Sequence, residues 1–308
     1  MSETRSIGEL QVSLAGLGCN NFGRRVDEAG TRKVVDAALE AGITTFDTAD
    51  VYGGGQSEEF LGRTLGPRRD DVVIVTKFGG GRPQGGDPAW VKEACDASLA
   101  RLGTDRIDVY LLHMPDQTTP IGDTLAALNE LVDAGKVREI GCSNFTAEQL
   151  EEAAAVAEKE GLRPFVTLQN EYSVLHRVPE REGVLDASAR LGMSFMPYFP
   201  LASGALTGKY RRGQPAPSGT RLGGEGGKLA DDVLPEDRLE LVERLAEFAE
   251  SRGHTLLELA LSWVASRPQV ATVIAGATSP EQVRANVAAV TAWPLSGDEV
   301  REVDAITG

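Results

Sequence analysis

Short, almost wholly apolar runs alternate along this chain with longer stretches whose apolar residues recur at helical spacing. The runs are LAGLGCNNFG, ITTFD, DVVIVTK, IDVYLLH, VREIGCS, PFVTLQNEY, MSFMPYFPL and VATVIAGAT. Between and after them lie EAGTRKVVDAALEAG, SEEFLGRTL, DPAWVKEACDASLARLG, TLAALNELVDAG, TAEQLEEAAAVAEKEG, EGVLDASARLG, RLELVERLAEFAESRG, LLELALSWVASR and SPEQVRANVAAV. Cores such as VVIV and VYLL show no polar alternation, so they read as strands covered on both faces. Helix boundaries are marked as well. Gly42 and Gly192 close two helices, Asp87 followed by Pro88 opens another, and Thr146 with Gln149 forms a capping-box signature. A strand–helix unit repeated about eight times in 308 residues predicts an α/β chain folded as a closed (β/α)₈ TIM barrel, with one domain over residues 1–308. The alternative is an open doubly wound sheet. It would carry GxGxxG after an early strand, and this chain has no such motif.

Two segments stand outside the repeat. Residues 1–14 hold two short runs around Gly8 and Glu9, which read as a β-hairpin able to plug the N-terminal end of the barrel. Residues 203–238 are a long loop after strand seven, rich in Gly, Pro, Lys and Arg. At the active face such a loop fits a lid that closes on an anion, or a mobile solvated loop.

Charge narrows the function classes. Lys and Arg number 31 against 46 Asp and Glu, a net charge of −15, which opposes binding to nucleic acid or an anionic membrane. The start MSETRSIGEL has no apolar core of a signal peptide, and no run reaches the roughly 18 apolar residues of a membrane span. A cytoplasmic protein acting on small molecules is expected, with oligomeric state open. Cys19, Cys95 and Cys142 are too few and too widely spaced for a disulfide framework, and no metal-ligand spacing occurs.

Candidate chemistry gathers at strand ends. Asp47, Lys77 and His113 end three runs, and Tyr52 follows Asp47 at a glycine-rich turn, YGGGQSE. A free tyrosine titrates near pH 10; a neighbouring ammonium lowers that value and makes Tyr52 a better acid. Asp47 could hold the ammonium, and His113 could orient a carbonyl. A carbonyl so polarised needs a hydride that no side chain supplies, so a nicotinamide cofactor is required.

The blocks GITTFDTADVYGGGQSE, VIVTKFG, IDVYLLHMPD, VREIGCSNF, LQNEYS, YFPLASGALTGKY and VIAGATSPEQVRANVAA occur in the order and spacing of the aldo-keto reductases, which the chain resembles over roughly residues 5–290. The resemblance implies a (β/α)₈ barrel with an N-terminal hairpin, binding NADPH, less often NADH. It makes Asp47, Tyr52, Lys77 and His113 the catalytic tetrad, with Tyr52 as proton donor. Ser143, Asn144 and Gln169 match the groups that hold the nicotinamide carboxamide, and Tyr198 the aromatic that stacks on its ring. Leu201, Ser203, Gly204, Leu206 and Lys209 match the pyrophosphate side. Gly276, Thr278, Ser279, Gln282 and Asn286 match the adenosine end.

One departure concerns the 2′-phosphate. Many members place a lysine and an arginine where this chain has Gly276 and Gln282. Members with the GATS form, similar to potassium-channel beta subunits, draw both cations from the loop after strand seven; Lys209 matches the first and Arg221, more loosely, the second. Arg284 is a further candidate or a solvated helix residue. Phe22, Phe78, Met114, Tyr172 and Phe199 lie just beyond strand ends and are expected to line an apolar or mixed substrate pocket. The expected reaction is reduction of an aldehyde or ketone to an alcohol. The alternatives are a cofactor-binding regulatory subunit with weak turnover, and a sugar or polyol dehydrogenase using NAD.

Overall fold

The computed structural model describes residues 3–81, 84–210, 212, 214, 216–217, 223 and 234–308. The chain opens with an antiparallel hairpin, β1 (Thr4–Ile7) and β2 (Leu10–Ser13), turning at Gly8 and Glu9. Eight parallel strands follow: β3 (Ala15–Gly18), β4 (Thr45–Asp47), β5 (Val73–Phe78), β6 (Ile107–Leu112), β7 (Val137–Ser143), β8 (Thr167–Gln169), β9 (Ser194–Phe195) and β10 (Val273–Gly276). Their order in the sheet is β10-β3-β4-β5-β6-β7-β8-β9. The sheet curls into a barrel that is not fully closed by a continuous ladder. Its last seam, between β9 and β10, is held by isolated parallel bridges, Phe195 to Val270 and Tyr198 to Ile274.

The helices pack outside: α1 (Glu28–Glu40), α2 (Gln56–Leu65), α3 (Pro88–Leu102), α4 (Ile121–Asp133), α5 (Ala147–Glu160), α6 (Val178–Arg181), α7 (Val184–Arg190), α8 (Glu236–Glu250), α9 (Leu256–Ala265), α10 (Pro280–Ala292) and α11 (Gly297–Thr307). The local signals act as their chemistry requires. Asp87 accepts hydrogen bonds from the Ala89 and Trp90 amides, and Thr146 and Gln149 cap α5 reciprocally. Strands six and seven of the sequence reading shrink to three and two residues, with the pairing continued beyond them by an isolated bridge, Glu171 to Tyr198. The C-terminal tail is helix α11, capped by Ser296 and Glu299, a capping box that the sequence reading passed over.

The core has two parts. Outward-facing strand residues such as Phe46, Ile74, Tyr110 and Leu168 pack against the helices. Inside the barrel Val73, Val75, Val109, Leu111, Met196, Ala271 and Ile274 form a separate apolar cluster, joined by Ile7, Leu10 and Val12 of the hairpin. The hairpin therefore caps the barrel's lower interior. The Glu9 amide donates to Glu139 Oε1 at 2.8 Å and fixes its turn. Among the described residues no helix is long and apolar enough to cross a membrane.

The α2–α3 contact is unusually close. A Cβ on Gly62 would lie 2.1 Å from the Leu102 carbonyl oxygen. In an open helix Gly→Ala stabilises by roughly 0.5–1 kcal/mol. Here overpacking against backbone should win: Gly62→Ala is expected to destabilise the fold by about 1–3 kcal/mol. A denaturant melt checks the sign, and a raised midpoint would mean that the two helices can separate freely.

Candidate active site

Strand alternation decides which side chains reach the barrel mouth. Val73 and Val75 face the barrel interior, so Lys77 on β5 faces it too. Val109 and Leu111 do the same on β6, and His113 continues that face one residue past the strand. Asp47 ends β4, while Ser143 and Gln169 end β7 and β8 as paired neighbours in the ladder. Five polar side chains thus meet at the C-terminal end of a barrel whose lower interior is apolar.

At the centre is a buried ion pair. Lys77 and Asp47 have side chains only 1% and 4% exposed, and Lys77 Nζ donates to Asp47 Oδ1 at 2.7 Å. Lys77 also donates to the Thr48 carbonyl at 2.8 Å, and Gln169 Nε2 donates to the same Asp47 oxygen at 2.8 Å. Tyr52 opens a tight turn, Tyr52–Gly55, and hydrogen-bonds the lysine, whose Nζ lies 5.1 Å from the ring centroid. The His113 ring meets the Tyr52 ring edge-on at 6.0 Å. This arrangement brings all four tetrad candidates together.

Above them opens a cavity of about 1040 Å³. Asp47, Tyr52 and His113 form part of its wall, with Lys77 behind them. Ser143, Asn144, Gln169, Tyr198, Leu201, Ser203, Gly204, Lys209, Gly276, Thr278, Gln282 and Asn286 line it as well. The Tyr198 hydroxyl donates to Asn144 Oδ1 at 2.8 Å, and Asn144 Nδ2 donates to the His113 carbonyl at 3.0 Å. Backbone strain is concentrated here. Among the described residues the non-glycine positions with positive φ are Asn144, Phe199, Ala202 and Ser203, of which three line the cavity.

Burial dominates the electrostatics. It raises the Tyr52 phenol above its ordinary value, against the lowering effect of the Lys77 ammonium. The expected net lowering by Lys77 is therefore corrected: the ammonium acts, but desolvation of the phenolate outweighs it. For Lys77 burial acts downward, yet Asp47 and Tyr52 more than offset it and keep the ammonium charged. His113 is pushed down to about 4 by burial and by Lys77, so its imidazole is neutral at neutral pH.

A second buried network underlies the Tyr52 turn. Glu58 on α2 is fully buried and accepts from Thr76 Oγ1 and from Arg101 Nε, both at 2.6 Å. Asp50 joins the segments that carry Tyr52 and Lys77, its amide donating to the Lys77 carbonyl at 3.1 Å. Burial and the Glu58 carboxylate raise Asp50 to about 6.

Several expected site residues lie elsewhere. Phe78 neighbours Lys77 on β5 and so must face the opposite way; it is fully buried and packs 4.6 Å from Tyr110. Tyr172 is fully buried, stacked 5.3 Å from Trp263, with its hydroxyl held by Glu180 and Arg267. Phe22 is fully buried in the outer core. These three are corrected from pocket to core, while Met114 and Phe199 do line the cavity. Leu206 is also fully buried, and its amide donates to the Leu201 carbonyl. Ser279 caps α10 through the Gln282 amide. Arg284 pairs with Glu40 at 3.6 Å, away from the cavity. Arg221 and most of the expected lid lie outside the described residues. Missed by the sequence reading were Asn20, Asn21, Arg24 and Arg25, which line the cavity from the loop after β3. Their signal was available: a polar NNFGRR run directly follows a barrel strand.

The Asp50 environment has a measurable consequence. Its folded value, about 6, exceeds the ordinary 3.8, so the folded state binds more protons between these values and stability falls as pH rises through them. His113 acts oppositely: its folded value of about 4 lies below 6.5, so its contribution is lost as pH falls from 6.5 toward 4. Asp50→Asn keeps an acceptor for the Val51 and Gly79 amides and removes the first effect. At about 1.4 kcal/mol per pKa unit, its stability relative to wild type is expected to rise by on the order of 1–3 kcal/mol between pH 4 and pH 7. Denaturant melts across that range check this, and a flat difference would contradict the buried-carboxylate assignment.

The comparisons with known proteins agree with this geometry. The aldo/keto reductase family model matches residues 15–307. A probable voltage-gated potassium channel subunit beta from Arabidopsis thaliana is 37% identical over 295 residues, covering 93% of this chain and 90% of that protein. The L-glyceraldehyde 3-phosphate reductase of Escherichia coli K12 is 33% identical over 310 residues, covering 96% and 89%. The solved holo form of an aldo-keto reductase from Bacillus halodurans superposes with a TM-score of 0.80 at 34% identity, covering 100% of this chain and 97% of that one. With its parallel barrel and buried Asp47–Lys77 pair beside Tyr52 and His113, this chain belongs to the aldo-keto reductase family.

Proposed function

We propose that this protein reduces an aldehyde or ketone to an alcohol, with Tyr52 delivering the proton and a nicotinamide dinucleotide, NADPH in preference to NADH, as reductant. The observation that carries this reading is the buried Lys77–Asp47 pair hydrogen-bonded to Tyr52 on the wall of a large cavity. Neutral His113 can donate one hydrogen bond to a carbonyl oxygen and turn it toward the phenol. As Tyr52 gives up its proton, the ammonium already beside it stabilises the phenolate left behind. Asp47 and the Thr48 carbonyl keep that ammonium in place throughout.

The cavity's donor set fits the dinucleotide. Ser143, Asn144 and Gln169 offer amide and hydroxyl groups matched to a carboxamide, and Tyr198 offers an aromatic face. Lys209 Nζ stands 3.3 Å from where a Cβ on Gly204 would lie, so a cation already overhangs the turn suited to the pyrophosphate. Leu201 and Ser203 flank that turn, and Gly276, Thr278, Gln282 and Asn286 suit the adenosine end. When bound, the dinucleotide supplies the hydride. The preference for NADPH rests on Lys209, with Arg221 its suggested partner.

Val51 and Met114 are 45% and 46% exposed and line the cavity, so the substrate's carbon frame meets apolar surface. The Escherichia coli relative's name adds a phosphorylated triose aldehyde to the substrates worth assaying. The Arabidopsis relative's name keeps a regulatory role in view, and turnover separates the two.

Tyr52→Phe is expected to lower kcat for carbonyl reduction by about 10²–10⁴-fold while cofactor affinity holds. Loss of nicotinamide absorbance against aldehydes, ketones and sugars tests it; a variant that keeps most of its kcat would remove Tyr52 as the acid. Tyr198→Ala is expected to weaken NADPH and NADH alike, because ring stacking does not read a 2′-phosphate. Fluorescence titration with each cofactor decides, and a loss confined to one would contradict the placement.

A further inference from the structure

We propose that Asn170 is a positioning residue: its side-chain amide clamps the loop after β7 and holds Asn144 in the strained conformation from which it meets the nicotinamide end of the cofactor. This inference rests on the reductase reading above and adds to that site a residue standing outside the cavity.

Asn144 adopts a backbone conformation that an L-residue disfavours. Its φ is 64°, in the left-handed region that few residues other than glycine enter. Its side chain makes several contacts at once. Nδ2 donates to the His113 carbonyl and to Ser143 Oγ, both at 3.0 Å, and Oδ1 accepts from the Tyr198 hydroxyl at 2.8 Å. A change of φ at Asn144 would therefore move a group assigned to the carboxamide and release the stacking tyrosine together. Such a strained residue persists only where its surroundings over-determine it.

Asn170 supplies that constraint. It follows β8 as Asn144 follows β7, and the two strands end side by side with Ser143 opposite Gln169. Asn170 Oδ1 accepts from the Asn144 amide at 2.7 Å, and Asn170 Nδ2 donates to the Phe145 carbonyl at 3.0 Å. One side chain thus closes on both ends of the Asn144–Phe145 segment. Its orientation is fixed by chemistry, because a backbone N–H needs an oxygen and a backbone carbonyl needs an N–H. The Asn170 carbonyl accepts from the Tyr198 amide at 3.1 Å, which ties the stacking residue to the same point. Phe145 is buried, and its ring meets Phe165 edge-on at 5.9 Å, anchoring the loop from the outer core. Neither Asn170 nor Phe145 is among the described residues that line the cavity, so the effect of Asn170 there runs through Asn144 and Tyr198. Alanine at 170 removes both arms of the clamp. Aspartate keeps the acceptor for the Asn144 amide but turns an oxygen toward the Phe145 carbonyl.

The test separates the two ends of the cofactor. NADPH and NADH are titrated beside 2′-phospho-ADP-ribose and ADP-ribose, which keep the phosphates and adenosine but lack the nicotinamide ring. The proteins are wild type, Asn170→Ala, Asn170→Asp, Asn144→Gly and the Asn144→Gly/Asn170→Ala double variant. Asn170→Ala is expected to weaken both intact cofactors by about tenfold and to leave both truncated nucleotides bound as in wild type. Asn170→Asp is expected to show the same selective loss, and it carries the test should the alanine variant fail to fold. Glycine enters the left-handed region without strain, so Asn170→Ala should weaken cofactor little further once Asn144 is glycine. Equal losses on intact and truncated nucleotides would overturn the proposal, since a general loosening of the wall would then explain them. Unchanged affinity for every nucleotide would overturn it too, as would fully additive losses in the double variant. Failure of wild type to bind any dinucleotide would be a different result: the reductase reading itself would fall, and this inference with it. The measurement needs no turnover, so it holds for a cofactor-binding protein as well as for an enzyme.

Discussion

Everything at this site depends on one buried ion pair. Lys77 and Asp47 meet at 2.7 Å with almost no solvent access. Removing two charges from water costs several kcal/mol per ion, and mutual attraction offsets that only when the remaining hydrogen-bonding capacity is also satisfied. Here it is: the Thr48 carbonyl takes a second Lys77 proton, and Gln169 supplies a second donor to Asp47. Loss of either partner would strand a buried charge, a change that typically costs about 3–5 kcal/mol. The pair therefore constrains the ends of β4, β5 and β8 at once. It also requires a dry barrel beneath it, which the inner valines and the hairpin residues Ile7, Leu10 and Val12 provide.

The groups around the pair divide the chemistry by environment. Burial keeps the Tyr52 phenol protonated and the His113 imidazole neutral, while Asp47 and Tyr52 keep Lys77 charged. A protonated phenol, a neutral imidazole and a fixed cation then stand side by side near neutral pH. Beneath them the Glu58–Arg101 pair braces the turn that carries Tyr52. Arg101 Cδ lies 2.9 Å from where a Cβ on Gly55 would stand, so the arginine packs directly against the turn's backbone. The strained residues Phe199, Ala202 and Ser203 shape the opposite wall.

How much of this was legible in the sequence follows from the range of each signal. The barrel strands and most helices were readable because their signals are local: continuous apolar runs, caps such as Asp87 and Thr146, and closing glycines. Asp47, Lys77 and His113 were readable because each sits at or just past a strand end, and Tyr52 because it opens the glycine-rich turn that follows Asp47. The alternation that turns Lys77 inward also turns Phe78 outward, so its misplacement was avoidable from sequence. Tyr172 was not avoidable in that way. Its burial depends on Trp263 and Arg267, which arrive from a distant segment, together with Glu180 eight residues on. The same holds for α11, whose Asp304 pairs with Arg177 and Arg267 to tie the C-terminus to that cluster. Arg24 and Arg25 were legible as part of a polar run after a barrel strand, but the direction of their loop is set by tertiary contacts, here Gly53 against Phe22 and Gly23. The net acidity of Tyr52 was misjudged for a related reason: the neighbouring charge is visible in sequence order, but the depth of burial is not.

The central claim is that the Lys77 ammonium, held by Asp47, lowers the Tyr52 phenol against the larger raising effect of burial. The most direct test is the ionisation of that one phenol, read as the phenolate absorbance that Tyr52→Phe removes, with and without the substitution Lys77→Met. Losing the cation while burial persists should move the Tyr52 titration to still higher pH. An unchanged or lowered titration would show that Lys77 does not govern the phenol, and the proposed route of proton delivery would fail with it.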